Sequence, residues 1–230
     1  MYKKPNKDLW QGRVDSEDGK LGKRWHEKVK KLPYPYEKKR GIALLGFDCD
    51  EGVKRNKGRV GASKSCDNLK SAMGNFAYHL KNSKLYDAGK VVASKNLDKS
   101  QNILASHITE LLKNQHFPVV LGGGHEVAYA SFLGLFNALK EKENIAILNF
   151  DAHFDLRVAK EATSGTPFAQ IASLCEDNSV LFDYMCLGIS KASNTQALFN
   201  KAQELNVKYI LDTNMTYQYF QKIKNKLDLF

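Results

Sequence analysis

Two short apolar runs each lead straight into a histidine-bearing motif, and this restricts the fold more than any other feature of the chain. Ile145-Ala146-Ile147-Leu148 runs into Asn149-Phe150-Asp151-Ala152-His153-Phe154-Asp155. Earlier, Phe117-Pro118-Val119-Val120-Leu121 runs into Gly122-Gly123-Gly124-His125-Glu126. Continuous apolar runs of this length read as strands of a parallel sheet, buried on both faces. Sites in such sheets form beyond the carboxyl ends of strands, where both motifs fall. Asp151, His153 and Asp155 sit at i, i+2 and i+4, so an extended chain would point all three to one side.

The rest of the chain alternates in the same way. Residues 1–40 read as a polar, irregular segment belonging to the same domain, and 41–230 as one α/β domain with no internal boundary. Ile42–Phe47 reads as a strand, followed by a Gly- and charge-rich loop over 48–63. Leu69, Met73, Phe76 and Leu80 form one stripe of a helix over 67–81, and Ile103, Leu104, Ile108, Leu111 and Leu112 one over 100–114. Further helices are expected over 127–142, from Pro167 to Cys175, from a Ser193 cap to Leu205, and over 217–227. Tyr184–Leu187 and Val207–Leu211 read as strands. The alternation implies a three-layer α/β/α fold with a mostly parallel sheet and helices on both faces.

Composition excludes little and narrows some. No apolar run approaches the ~18 residues of a membrane span, and the start lacks the apolar core of a secretory signal. Cys49, Cys66, Cys175 and Cys186 form no Cys-x-x-Cys pair, so they read as reduced thiols of a cytoplasmic protein rather than zinc ligands. The formal charge of +10 comes largely from lysines near both ends. With no nucleic-acid motif beside it, this charge reads as a solvated face that also draws in an acidic small molecule.

The candidate ligands His125, Asp151, His153 and Asp155 offer carboxylate oxygen and imidazole nitrogen with no thiolate nearby. That set suits Mn²⁺, and less exclusively Fe²⁺, Co²⁺ or Zn²⁺. A lone histidine would read as a satisfied core residue; four ligands at two strand ends do not. The three glycines lack the Gly-Lys-Ser/Thr ending of a phosphate-binding loop and read as room for close backbone approach to the metal.

At these residues the chain resembles the ureohydrolase family of arginases, agmatinases and formimidoylglutamases. The Gly-Gly-x-His and Asp-Ala-His-x-Asp motifs of that family are matched by 122–126 and 151–155. Leu9–Asp15, Gly46–Val53, Asn56–Ala62, Arg157 and Ser164–Phe168 bring it nearest to the formimidoylglutamase branch. Arginases carry a catalytic histidine where this chain reads Thr166-Pro167-Phe168, and an agmatinase-like amidine hydrolase, which takes a cationic substrate, is the weaker alternative. The resemblance implies two Mn²⁺, one held by His125, Asp151 and Asp155, the other by Asp151 and His153. It also implies a metal-bridging hydroxide held through Asp151, and hydrolysis of N-formimidoyl-L-glutamate to glutamate and formamide. Arg157 and then Arg59 are the candidates for gripping a substrate carboxylate.

One part of the family pattern is missing. A third motif, a Ser-x-Asp-x-Asp strand with two more carboxylates, has no counterpart before Phe230. The resemblance therefore implies an arginase-like fold lacking its last strands, with unpaired sheet edges and exposed apolar surface. Little activity is expected of the chain alone, and either a homo-oligomer or a separate carboxyl-terminal fragment as partner. A non-catalytic binding module and a nucleic-acid binder are the readings from other classes; no membrane partner is expected.

Overall fold

The computed structural model describes residues 1–139, 144–219 and 221. They fall into two units: Met1–Leu139 with Ala162–Ser164, and Lys140–Glu161 with Gly165–Phe230. The sequence carries no linker at this division. Among the described residues each unit has its own set of hydrogen-bonded strands, mostly parallel as expected.

The first unit contains β1 (Tyr2–Lys3), α1 (Trp25–Lys28), β2 (Lys30–Lys31), β3 (Gly41–Asp48), α2 (Glu51–Arg55), α3 (Ser65–Met73), β4 (Leu85–Val92), α4 (Leu97–Lys113), β5 (His116–Leu121) and α5 (Val127–Ala138). Its strands run in the order β1-β4-β3-β5, with β2 also on β4. All pairs are parallel except β1–β4. Ala43, Leu45 and Phe47 face one cluster with Leu104, Ile108 and Leu111 of α4, while Leu44 faces another with Trp10 and Leu85. This is the two-residue alternation of a strand covered on both sides.

Helix α4 starts where Asn96 accepts the Lys99 N–H at 2.9 Å. It packs closely on α5: a Cβ on Gly134 would lie 2.6 Å from the Ile108 Cβ. Thr109 Oγ1 donates to the Gly134 carbonyl at 2.8 Å.

Three departures from the sequence reading here have one reason, tertiary override of local pattern. The helix over 67–81 stops at Met73, and Gly74 is pressed against Gln11, whose carbonyl would lie 2.4 Å from an added Cβ. Beyond it, Phe76 and Tyr78 pair by backbone with Trp25 and Lys23, and the Phe76 ring meets Trp25 edge-on at 5.6 Å. Residues 1–40 are irregular over most of their length and supply α1, two short strands and the buried Trp10 to this unit. Strand β4 escapes sequence reading because Asp87 and Lys90 interrupt its apolar run. The buried Asp87 carboxylate is instead satisfied by Trp10 Nε1 at 2.8 Å and the buried Lys70 Nζ at 2.6 Å. The loop over 48–63 likewise holds α2 and a 3-10 turn at Ala62–Lys64.

The second unit contains β6 (Ala146–Phe150), α6 (Pro167–Asp177), β7 (Asp183–Ile189), α7 (Gln196–Glu204) and β8 (Lys208–Leu211). Its sheet is parallel, in the order β6-β7-β8. Pro167 opens α6, which buries Phe168, Ile171 and Cys175 on one face. Ser193 does not cap α7: Thr195 holds the N-cap position, and Ser193 lies in a turn closed by its N–H to the Ser190 carbonyl at 3.2 Å. The helix expected over 127–142 ends at Ala138, where Leu139 turns extended; most of the one expected over 217–227 lies outside the described residues.

Candidate metal centre

In the first unit, β5 delivers His125 through a sharp turn. Gly122 and Gly123 have φ of +76° and +84°, a conformation that L side chains rarely adopt. A Cβ at Gly122 would fall 2.0 Å from Ser65 Oγ, and one at Gly124 2.1 Å from Glu126 Oε2. The three glycines are thus required by this turn and its neighbouring side chains, a more local reason than clearance for a metal. Gly124 N–H donates to the Cys49 carbonyl at 3.1 Å, fixing the turn to the end of β3.

Glu126, quoted in the motif but given no role there, is fully buried. Its Oε1 accepts the Gly52 N–H at 3.0 Å, and its carbonyl accepts Gln101 Nε2 at 2.9 Å. Burial pushes its carboxyl above the usual range, against hydrogen bonding from Cys49 and Gly52. Glu126 thereby ties the residue after His125 to α2 and α4. A carboxylate inside a Gly-Gly-Gly-His-Glu motif was the only sequence signal for it.

In the second unit, β6 ends at Phe150, where the Asp151 N–H donates to the Leu187 carbonyl at 3.1 Å. The chain does not stay extended through the motif, as Asp155 has φ +47°. The three side chains therefore do not share one side by strand geometry. His153 is exposed, and Asp151 Oδ1 accepts its N–H at 2.9 Å and lies 3.3 Å from its Nδ1. Asp151 and Asp155 are half-buried.

Loop 151–155 is held by residues that the sequence did not single out. Asn194 is buried; its Oδ1 accepts the Phe154 N–H at 3.1 Å, and its Nδ2 donates to the Ala152 carbonyl at 2.7 Å and the Ser190 carbonyl at 2.8 Å. Tyr184 Oη donates to the Phe154 carbonyl at 3.3 Å, and the Cys186 thiol to the Asp151 and His153 carbonyls at 3.6 Å. Burial pushes the Tyr184 hydroxyl well above its usual range and the Cys186 thiol up to about 11, so both stay protonated as donors. Asn194 has no sequence signal, because its partners in the loop, Ala152 and Phe154, lie about forty residues earlier.

The candidate arginines sit on different supports. Arg157 is exposed in the second unit, where its N–H donates to the Gly165 carbonyl at 3.1 Å. Arg59 is exposed in the first unit, on a loop gathered by Asp50. That carboxylate accepts Ser63 N–H at 2.8 Å, Ser63 Oγ at 2.6 Å and Gly61 N–H at 3.1 Å. Burial raises the Asp50 carboxyl, but these hydrogen bonds outweigh it and hold it below the usual range.

The Gly-Gly-Gly-His and Asp-Ala-His-Phe-Asp strand ends lie within a stretch, residues 40–229, that matches the arginase family over most of the chain. The chain belongs to the arginase family. This arginase-family chain is 47% identical over 223 residues to formimidoylglutamase of Chromobacterium violaceum, covering 96% of itself and 71% of the relative. It is 42% identical over 229 residues to that of Clostridium tetani, covering 94% and 68%.

Solved structures agree on the arginase-family fold. Trypanosoma cruzi formiminoglutamase, solved with Mn²⁺, superposes with a TM-score of 0.69 at 20% identity, covering 99% of this chain and 70% of that one. Formimidoylglutamase from Bacillus subtilis gives 0.69 at 25% identity, covering 83% and 61%. Among the described residues no helix is long and apolar enough to cross a membrane.

Proposed function

We propose that this arginase-family chain carries part of a metal-dependent amidine hydrolase acting on N-formimidoyl-L-glutamate, with His125, Asp151 and Asp155 holding one Mn²⁺. The donor set carries the reading: each of the three offers one ligand atom, an imidazole nitrogen and two carboxylate oxygens. Carboxylate and imidazole without thiolate is the chemistry Mn²⁺ takes. When bound, such a cation would lower the pKa of water and, as a Lewis acid, stabilise the negative charge that hydroxide attack on the amidine carbon shifts onto its oxygen and nitrogen substituents.

The chain's own residues prepare this site. The Gly122-Gly123 turn and Glu126 fix the backbone on either side of His125, while Asn194, Tyr184 and Cys186 fix the backbone carrying Asp151 and Asp155. His153 stays with the Asp151 carboxylate as the candidate ligand of a second cation. Arg157, with a planar fork that matches a carboxylate, is the candidate for gripping the glutamate end of the substrate, and Arg59 is the weaker candidate. The lysine-rich charge favours an acidic substrate over the cationic one of an agmatinase.

Titration of the chain with Mn²⁺, followed by loss of the free-ion electron paramagnetic resonance signal, tests the reading. One ion is expected to bind, and Asp151→Asn to weaken binding at least ~100-fold. Glutamate release from N-formimidoyl-L-glutamate is expected to be slight, because three protein ligands leave the site under-coordinated. Unchanged Mn²⁺ affinity in Asp151→Asn would overturn the ligand assignment, and robust turnover by the chain alone would overturn the incompleteness.

A further inference from the structure

The carboxyl end of β7 carries a cation that neither histidine motif includes. The Asp151 N–H donates to the Leu187 carbonyl at 3.1 Å, and the Ser190 N–H donates to the Ala152 carbonyl at 3.0 Å. These bonds continue the β6–β7 ladder past the end of β6 and hold residues 187–190 to the first half of loop 151–155. The Ser193 N–H then donates to the Ser190 carbonyl at 3.2 Å, which puts Lys191 and Ala192 at the two central positions of a turn. Buried Asn194 locks that turn to the loop, since its Nδ2 donates to both the Ala152 and the Ser190 carbonyls.

Lys191 therefore stands exposed on a fixed corner, directly after a residue bonded to the neighbour of Asp151. Among the described residues it has no acidic partner. Lys201 and Lys208 of the same unit, by contrast, pair with Glu204 at 2.7 Å and Asp183 at 3.0 Å. Arg157, also exposed and in the same unit, follows the other end of the loop, two residues after Asp155. Loop 151–155 is thus flanked by two cations from one unit.

N-formimidoyl-L-glutamate has two carboxylates, and Arg157 is the candidate for only one of them. A carboxylate that enters a site unpaired loses hydration without compensation. We propose that Lys191 determines specificity for a dicarboxylate substrate by pairing with the carboxylate that Arg157 does not hold. An ammonium on a flexible stem suits that task, because it meets a point charge without the fixed fork of arginine. The inference rests on the substrate reading above and deepens it by naming the residue that separates the dicarboxylate from its monoamides.

The test is calorimetric binding of three probes to the full 230-residue chain loaded with Mn²⁺: N-formyl-L-glutamate, N-formyl-L-glutamine and N-formyl-L-isoglutamine. Their amide stands in for the amidine and leaves nothing for an amidine hydrolase to cleave, and each monoamide lacks one of the two carboxylates. The unsubstituted chain is expected to bind each monoamide at least ~10-fold more weakly than the dicarboxylate. Lys191→Gln is expected to erase the discrimination against one monoamide and keep it against the other, with Arg157→Gln doing the reverse. Lys191→Arg, and Lys160→Gln at another exposed lysine of the same unit, are expected to keep both. Equal weakening of all three probes in Lys191→Gln would overturn the proposal, because a structural defect does not tell one carboxylate from the other. Unchanged discrimination in that variant would overturn it as well. Binding of none of the probes by the unsubstituted chain would overturn the substrate reading itself, and the proposal with it.

Discussion

Strands β3 and β6 have nearly the same apolar character but different fates. β3 has β4 and β5 as neighbours, and six of its eight residues are buried, the other two half-buried. Among the described residues β6 has only β7 as a neighbour, and its residues alternate between exposed and half-buried. Hydrophobic content alone thus does not bury a strand. Burial follows from the number of flanking strands and from the layers that cover them.

The largest test of this contrast is a matched pair of truncations. Phe47→Ala, at a fully buried ring, is expected to cost ~3–5 kcal/mol in urea denaturation. Phe150→Ala, at a ring 69% exposed, is expected to stay within ~0.5 kcal/mol. Equal costs would break the comparison, because β6 would then be covered in solution.

A smaller effect separates the support of the site from its surface. Asn194→Ala removes the acceptor of the buried Phe154 N–H and one of the donors to each of the Ala152 and Ser190 carbonyls, at an expected cost of ~1–3 kcal/mol. Since Asn194 acts through loop 151–155, Mn²⁺ affinity should also fall, by ~10–100-fold. Intact affinity in a destabilised variant would make Asn194 a purely structural residue.

The smallest effect is read from thiol chemistry. All four cysteines are buried, with Cys49 and Cys66 pushed up to about 12 and Cys175 and Cys186 to about 11. An unfolded thiol titrates near ~8.5, so the folded state holds these protons more tightly. Their contribution to stability is complete below that pH and is lost as pH rises through the folded values. Iodoacetamide at pH 8.5 is therefore expected to label no cysteine in the native chain and all four in urea. Selective native labelling in the second unit would show that its β7 layer opens more readily than the first unit's core.

Much of the fold was readable because core spacing recurs: β3, β5, β6, β7, β8, α4 and α6 lie close to where periodicity puts them. β4 was hidden by Asp87 and Lys90, which break the binary pattern, the buried Asp87 being satisfied by the distant Lys70. The helix over 67–81 was cut short by pairing to residues 23–26. The site shows the same split. His125, Asp151, His153 and Asp155 stand in short motifs and were legible, whereas Asn194, Tyr184 and Cys186 act on loop 151–155 from at least thirty residues away.

The sequence by itself determined the strand-and-helix alternation, the family and the ligand types, because each is written in local spacing and side-chain chemistry. Only the tertiary structure decided that the glycines serve a left-handed turn against Ser65 and Glu126. It alone showed that residues 1–40 contribute to the first unit's core, and that β6, among the described residues, pairs with β7 alone. The physical reason is that these depend on which distant segments meet, and backbone pairing and burial have no signature in the residues of one segment alone.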